Sequence, residues 1–477
     1  DYAAAGDLKG RIALVRRGEL TFTEKVLNGQ AAGAAAVIVC DNTDGLLSNM
    51  SVEGAAIPSI FISKADGDYL MELSDKRITV FAADQSMDNP TAGQISEFSS
   101  MGVTPDLKLK PEITAPGGYI YSALPESLGG YGSMSGTSMA TPFLAGTAAL
   151  VRQELAVRYP DLAGPELQDL VDALLMSTAR PITDQRTGNF YTPRLQGNGL
   201  VDAAAALTTP VVLHTDDLDG SVKPILNLGD DVSRTGVYEL SFRATNLSDT
   251  DRTYTLSITA MAPAVEVKNG ISFLSNKTVE LDAALTDTVT IPAGETVTFT
   301  RTLTLSEADK AYLTENFENG IYVEGFIELL SDEVPSLTAA YLGFFGDWTE
   351  APIIDYGDWY TEPETALSFM NQAAGYVPYF YGYALLGQNA FLAEQNYIPE
   401  NFAISPNGDD YFDTVELQVG LLRGAKQVRY TVTDEDGNVH YEYVSDYNRK
   451  TVYSPVYDMM VPASAYAGFA PTPYGGT

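Results

Sequence analysis

The sequence predicts a multidomain chain, with a small α/β unit, a helix-rich α/β unit and then all-β modules. Three observations carry this. In the first ninety residues, short apolar runs alternate with a stretch of helical spacing. Two long helical patterns dominate residues 91–208. From about residue 214, short stretches alternate apolar and polar residues with a period of two. At 477 residues the chain exceeds one ordinary domain, and a 45% hydrophobic content gives it material for several cores.

In the first unit, Arg11 to Val15 reads as an apolar strand. Thr23 to Ala35 has helical spacing, with Val26, Leu27, Ala31 and Ala34 on one side. Val37 to Cys40 and Ile57 to Ile62 read as further strands, and Lys64 to Leu73 as a helix. Cys40, the single cysteine, excludes an intramolecular disulfide framework and reads as a buried thiol in its strand. In the second unit, Thr137 to Tyr159 is apolar nearly all round at its start, the pattern of a buried helix. Pro165 to Ala179 follows, with Pro165 near its first turn and Leu167, Leu170, Val171, Leu174 and Leu175 on one face. Beyond residue 214 helix signals nearly vanish. Tyr238–Ala244 and Thr296–Thr304 alternate as sandwich strands do, and Tyr430–Tyr443 reads as a hairpin turning near Asp436-Gly437-Asn438.

A net charge of −35 excludes a generic nucleic-acid binder, because the phosphate backbone would repel it. The same charge suits a protein outside the cell and disfavours adhesion to anionic membranes. No apolar run approaches the roughly 18 residues of a membrane span. Export without disulfides points to a bacterial surface. Residue 1 is Asp and no leader follows, so the expectation is a fragment or a processed chain.

The chemistry concentrates in Tyr131 to Pro142. Gly136 permits a backbone turn closed to other residues, and Thr137 and Ser138 then open a helix. Unpaired N–H groups and the positive end of the helix dipole gather at such a start. A hydroxyl nucleophile there has its own N–H aimed where an oxyanion would form. A Ser/Thr helix cap without chemistry is the alternative reading. Asn407, Asp409, Asp410 and Asp413 form an oxygen-rich loop that is a candidate for calcium, with an Asx-type turn as the alternative. Glu112 and Asp106 have no partner at a defensible spacing and read as solvent-exposed. The aromatics between 353 and 395 suit a packing surface or a ligand surface.

Ser135-Gly-Thr-Ser-Met-Ala-Thr-Pro142 closely resembles the serine motif of subtilases. Lys110 to Gly118 is similar to the family's segment before the serine loop, and Gly197 to Ala203 to its closing motif. Phe143 stands where many relatives have His. Residues 1–90, through Lys9–Gly18, Phe22–Gly33 and Ile57–Ser63, resemble a protease-associated domain. Residues 214–350, ending in Tyr341–Trp348, resemble a fibronectin type III-like domain. The resemblance implies a partial doubly wound catalytic domain over 91–210, an aromatic-rich linker over 351–395, and a second, incomplete sandwich module over 396–477. The nearest groups are lactocepins and complement-cleaving cell-envelope peptidases.

The resemblance implies a secreted or cell-wall serine endopeptidase acting on proteins or peptides through an acyl-enzyme at Ser138, with Gly136 and Thr137 supporting the oxyanion loop. No cofactor is assigned, and calcium at the loop of Asn407, Asp409 and Asp413 is the one candidate. The family's Asp and His precede the serine. Here the two histidines, His214 and His440, both follow Ser138 and read as structural. The chain alone is therefore expected to be inactive. A non-catalytic surface or adhesion protein built from the same modules is the rival reading.

Overall fold

The computed structural model describes residues 2, 6–18, 20–42, 50, 52–74, 76–78, 91–215, 222–268, 271–350, 353, 374–379, 382–385, 416–418, 421, 423–448, 451–454 and 459–462. It falls into two compact units, Asp1–Gly93 and Gln94–Thr477.

The first unit contains β1 (Ile12–Arg16), α1 (Phe22–Ala31), β2 (Ala36–Cys40), β3 (Ser59–Ile62) and α2 (Lys64–Glu72). The three strands form a parallel sheet in the order β1-β2-β3. A capping box starts α1: Thr21 Oγ1 accepts from the Glu24 N–H, and the Glu24 carboxylate accepts from the Thr21 N–H. The helix stops at Ala31, short of Ala35, because Gly33 takes the left-handed conformation at φ +87°. Cys40 is buried, and burial pushes its thiol pKa up, so it is a poor nucleophile.

The second unit opens with β4 (Gly102–Val103), β5 (Leu109–Lys110), β6 (Ile120–Ala123), β7 (Tyr131–Met134), α3 (Thr137–Arg158), α4 (Gly164–Ser177), α5 (Pro193–Gln196) and α6 (Ala203–Thr208). The expected partial doubly wound sheet is not formed among these described residues. Their strands make only two antiparallel pairs, β4–β5 and β6–β7. A second correction concerns α3. Only the stripe Thr147, Val151 and Leu155 is buried. Phe143, Leu150 and Val157 are 46%, 52% and 76% exposed, so the all-round apolar pattern does not produce an all-round buried helix.

The sandwich follows: β8 (Val211–His214), β9 (Ile225–Asp231), β10 (Val237–Asn246), β11 (Arg252–Lys268), β12 (Ile271–Glu280), β13 (Leu285–Ile291), β14 (Thr296–Thr304), α7 (Glu307–Asn316), β15 (Ile321–Leu330) and β16 (Leu337–Phe345). One sheet runs β14-β10-β8. The other runs β12-β11-β15-β16-β9, with β13 also paired to β11. Leu240 and Phe242 of β10 meet Tyr254, Leu256 and Ile258 of β11 in one core, and burial alternates along β10 as the period-two sequence requires. Helix α7 lies in the stretch where helix signals nearly vanish. Its signal is local, a capping box between Ser306 and Asp309.

Beyond the sandwich lie β17 (Ala374–Tyr379), β18 (Gly382–Leu385) and β19 (Glu416–Gln418) in one sheet, the hairpin β20 (Ala425–Thr433) and β21 (Val439–Asn448), and the pair β22 (Thr451–Ser454) and β23 (Met459–Pro462). In the hairpin turn Asp434 accepts from the Asn438 side chain, from His440 and from backbone N–H groups, which holds its carboxyl at about 2.

The helical region and the sandwich share a core. Leu107, Leu109 and Met176 cluster with Met261, Phe326, Ala340, Leu342 and Phe344. Trp348 Nε1 donates to the Pro105 carbonyl at 2.9 Å from the sandwich side.

Candidate active site

Ser138 is the second residue of α3 and is exposed. The turn before it is pinned at two points. The Gly136 N–H donates to the Gly117 carbonyl at 2.8 Å, and the Tyr119 N–H donates to Ser135 Oγ at 2.8 Å. A Cβ at Gly117 would come within 2.8 Å of the Gly136 carbonyl oxygen, so only glycine allows this approach. Two motifs separate in sequence are thereby laid side by side.

The N–H groups of Met139 and Ala140 both donate to the Gly136 carbonyl, at 3.0 and 3.4 Å. Those of Thr137 and Ser138 have no acceptor among the described residues, as the first turn of a helix dictates. Pro142 lies inside α3 and has no N–H to offer the Ser138 carbonyl. No described residue hydrogen-bonds the Ser138 hydroxyl. An exposed hydroxyl thus stands beside two unpaired N–H groups at the positive end of a 22-residue helix. Such an end stabilises negative charge developing on a neighbouring oxygen.

The closing motif is built in from behind. Asn198 is fully buried. Its Nδ2 lies 3.1, 3.0 and 3.1 Å from the carbonyls of Met176, Pro224 and Thr338, and its Oδ1 accepts from the Ala340 N–H at 3.1 Å. Its backbone N–H donates to the Glu112 carbonyl at 3.0 Å, and the Thr114 N–H donates to the Gly199 carbonyl at 2.9 Å. On either side of Asn198, a Cβ at Gly197 or Gly199 would overlap the backbone of Glu112 or Arg180. Four residues earlier, Arg194 forms a bidentate pair with Glu324 of β15 at 3.0 and 3.1 Å. The two side chains are 4% and 0% exposed, and the guanidinium lies 4.2 Å from the centre of the Tyr322 ring.

The two histidines lie elsewhere. His214 ends β8 opposite Arg243, and His440 Nε2 is 2.9 Å from Asp434 Oδ2 on the exposed hairpin. Neither hydrogen-bonds Ser138. Glu112 and Asp106, expected in solvent, are partly buried and paired. Glu112 meets Lys110 and Lys223 at 2.8 and 3.0 Å, and Asp106 meets Lys426 at 3.4 Å. At Glu112 burial opposes the charge, but the two lysines outweigh it and the carboxyl lies below its ordinary value. Asn407, Asp409, Asp410 and Asp413 lie outside the described residues, as do most of the aromatics of 353–395. Asn198 falls within the closing motif Gly197–Ala203, whereas no motif contains Arg194 or Glu324. The sequence offers one signal for them, two acidic residues, Glu324 and Glu328, in the otherwise apolar run Ile321–Leu330.

Comparison with known proteins agrees with the motifs. The subtilase family matches residues 25–199 and the Fn3-like domain matches residues 230–341. A PII-type proteinase of Lactococcus lactis subsp. cremoris is 32% identical over 95% of the chain. A C5a peptidase of Streptococcus pyogenes is 29% identical over 91%. The chain spans 24% of the first relative's length and 41% of the second's. Among solved structures, a zinc aminopeptidase from Bacillus subtilis aligns at 40% identity with 14% of this chain and 17% of its own, at a TM-score of 0.13. Residues 25–199 thus match the subtilase family of serine peptidases, and the Fn3-like match follows them at 230–341.

Proposed function

We propose that the whole protein is a cell-surface serine endopeptidase and that Ser138 is its nucleophile. The observation that carries this reading is the exposed Ser138 hydroxyl beside the unpaired N–H groups of Thr137 and Ser138. Ser138 Oγ bonds to the scissile carbonyl carbon and its proton passes to an imidazole. The carbonyl oxygen takes up the electron pair and accepts from the Ser138 N–H. As the tetrahedral intermediate collapses, the imidazolium gives its proton to the departing amine, leaving an acyl-enzyme that water then hydrolyses.

The imidazole and its Asp are supplied by sequence outside these 477 residues, since His214 and His440 are both engaged in the β modules. The relatives' greater length supports this assignment. Residues 1–90 form a protease-associated domain that selects or gates protein substrates, and the distal modules space the site from the cell wall. The names PII-type proteinase and C5a peptidase support protein substrates.

A fluorophosphonate probe tests the reading. It is expected to label the whole protein at Ser138, and Ser138→Ala is expected to abolish the label. The 477-residue chain alone is expected to turn over substrate slower by about 10⁶, the order lost with a triad base. Labelling that survives Ser138→Ala removes Ser138 from the role. An unlabelled whole protein favours a non-catalytic surface protein.

A further inference from the structure

We infer that the Fn3-like sandwich is a working part of the serine site. In this inference, Asn198 and the Arg194–Glu324 pair are positioning residues that hold segment 112–119 against the turn presenting Ser138. It rests on the proposed role of Ser138. The connection consists of contacts already described. Thr338 and Ala340 of β16 grip the Asn198 side chain. The Asn198 N–H and the Gly199 carbonyl grip Glu112 and Thr114. A few residues on, Gly117 and Tyr119 of the same segment hold Gly136 and Ser135.

Each link is stiff for a stated reason. Asn198 is 0% exposed, and its amide meets four backbone groups from three segments, those of Met176, Pro224 and β16. Glycines 117, 197 and 199 let backbones touch with no side chain between them. The Arg194–Glu324 pair is fully desolvated and bidentate, which fixes α5 on β15 in one orientation. A buried pair of this kind adds little net stability over apolar residues of similar shape, but it specifies geometry.

The whole protein carrying Arg194→Met with Glu324→Leu retains a packed interface without the ion pair. Its expected behaviour is a fall of about tenfold or more in the labelling rate of Ser138 and in kcat, with KM within about twofold, because sub-ångström misplacement at a nucleophile acts on turnover. In a Ser138→Ala background, the same pair of substitutions is expected to speed amide exchange at Gly136 and Tyr119 by about tenfold. Amides of β10 and β11 are expected to keep their protection. Should the double variant not fold, Asn198→Ser, which keeps a donor and an acceptor but not the span, is expected to give a weaker form of the same split. A folded variant that labels, turns over and exchanges like the parent overturns the inference alone. A parent protein that takes no label overturns the peptidase reading and this inference with it.

Discussion

At the scale of single residues, placement matters more than type. Ser138 is one of several serines in its loop, and what distinguishes it is the first turn of α3 with its unpaired N–H groups. Asn198 is a short amide whose burial makes it costly to change. Asn198→Ala leaves several buried backbone groups unpaired, at about 1–3 kcal/mol each. The expected loss, measured by denaturant unfolding, is about 3 kcal/mol or more. Glu328 of β15 behaves oppositely. Burial raises its pKa, and no partner offsets it among the described residues. The folded state therefore holds that proton more tightly than the unfolded chain does. The associated stability is complete below the ordinary carboxyl pKa and is lost as pH rises through the raised one. Glu328→Gln, a permanent mimic of the protonated form, is expected to raise Tm by about 1–4 °C at pH 7, with the gain vanishing in acid. An equal gain at every pH would show that ionisation is not the cause.

At the scale of elements, α3 is the informative case. Its pattern is apolar nearly all round, yet it buries one stripe and exposes Phe143, Leu150 and Val157. An exposed apolar face of this kind binds apolar dyes and drives association. The 477-residue chain is expected to bind such a dye and to associate as concentration rises. Leu150→Lys with Val157→Lys is expected to suppress both effects while leaving Tm within about 2 °C, since surface changes usually fall within 0.5 kcal/mol. A large fall in Tm would show that these residues are packed after all. Helix α7 teaches the complementary lesson. A capping box at Ser306 and Asp309 starts the ten-residue helix that interrupts the run of strands, and Leu313 anchors it in the sandwich core.

At the scale of the whole molecule, the boundary between the helical region and the sandwich is not a hinge. Leu107, Leu109 and Met176 share a core with Phe326, Leu342 and Phe344, and Arg194 is neutralised across the same boundary. Residues 94–350 are accordingly expected to unfold in a single calorimetric transition. Residues 94–208 alone would bare that core and leave Arg194 buried without its partner, so they are expected not to fold cooperatively. Two well-separated transitions in 94–350 would refute a shared core.

The sequence alone determined what short-range chemistry decides. The period-two strands of the sandwich, the Gly136 turn, the opening of α3 at Thr137 and the motif around Ser138 are all set by neighbours along the chain, where side-chain spacing and backbone freedom dominate. Tertiary structure decided what depends on burial. It paired Glu112 with lysines, left α3 half bare, and joined Arg194 to Glu324 and Asn198 to β16. No local pattern marks such pairs, because the cost of desolvating a charge or an amide arises only once distant segments close over it.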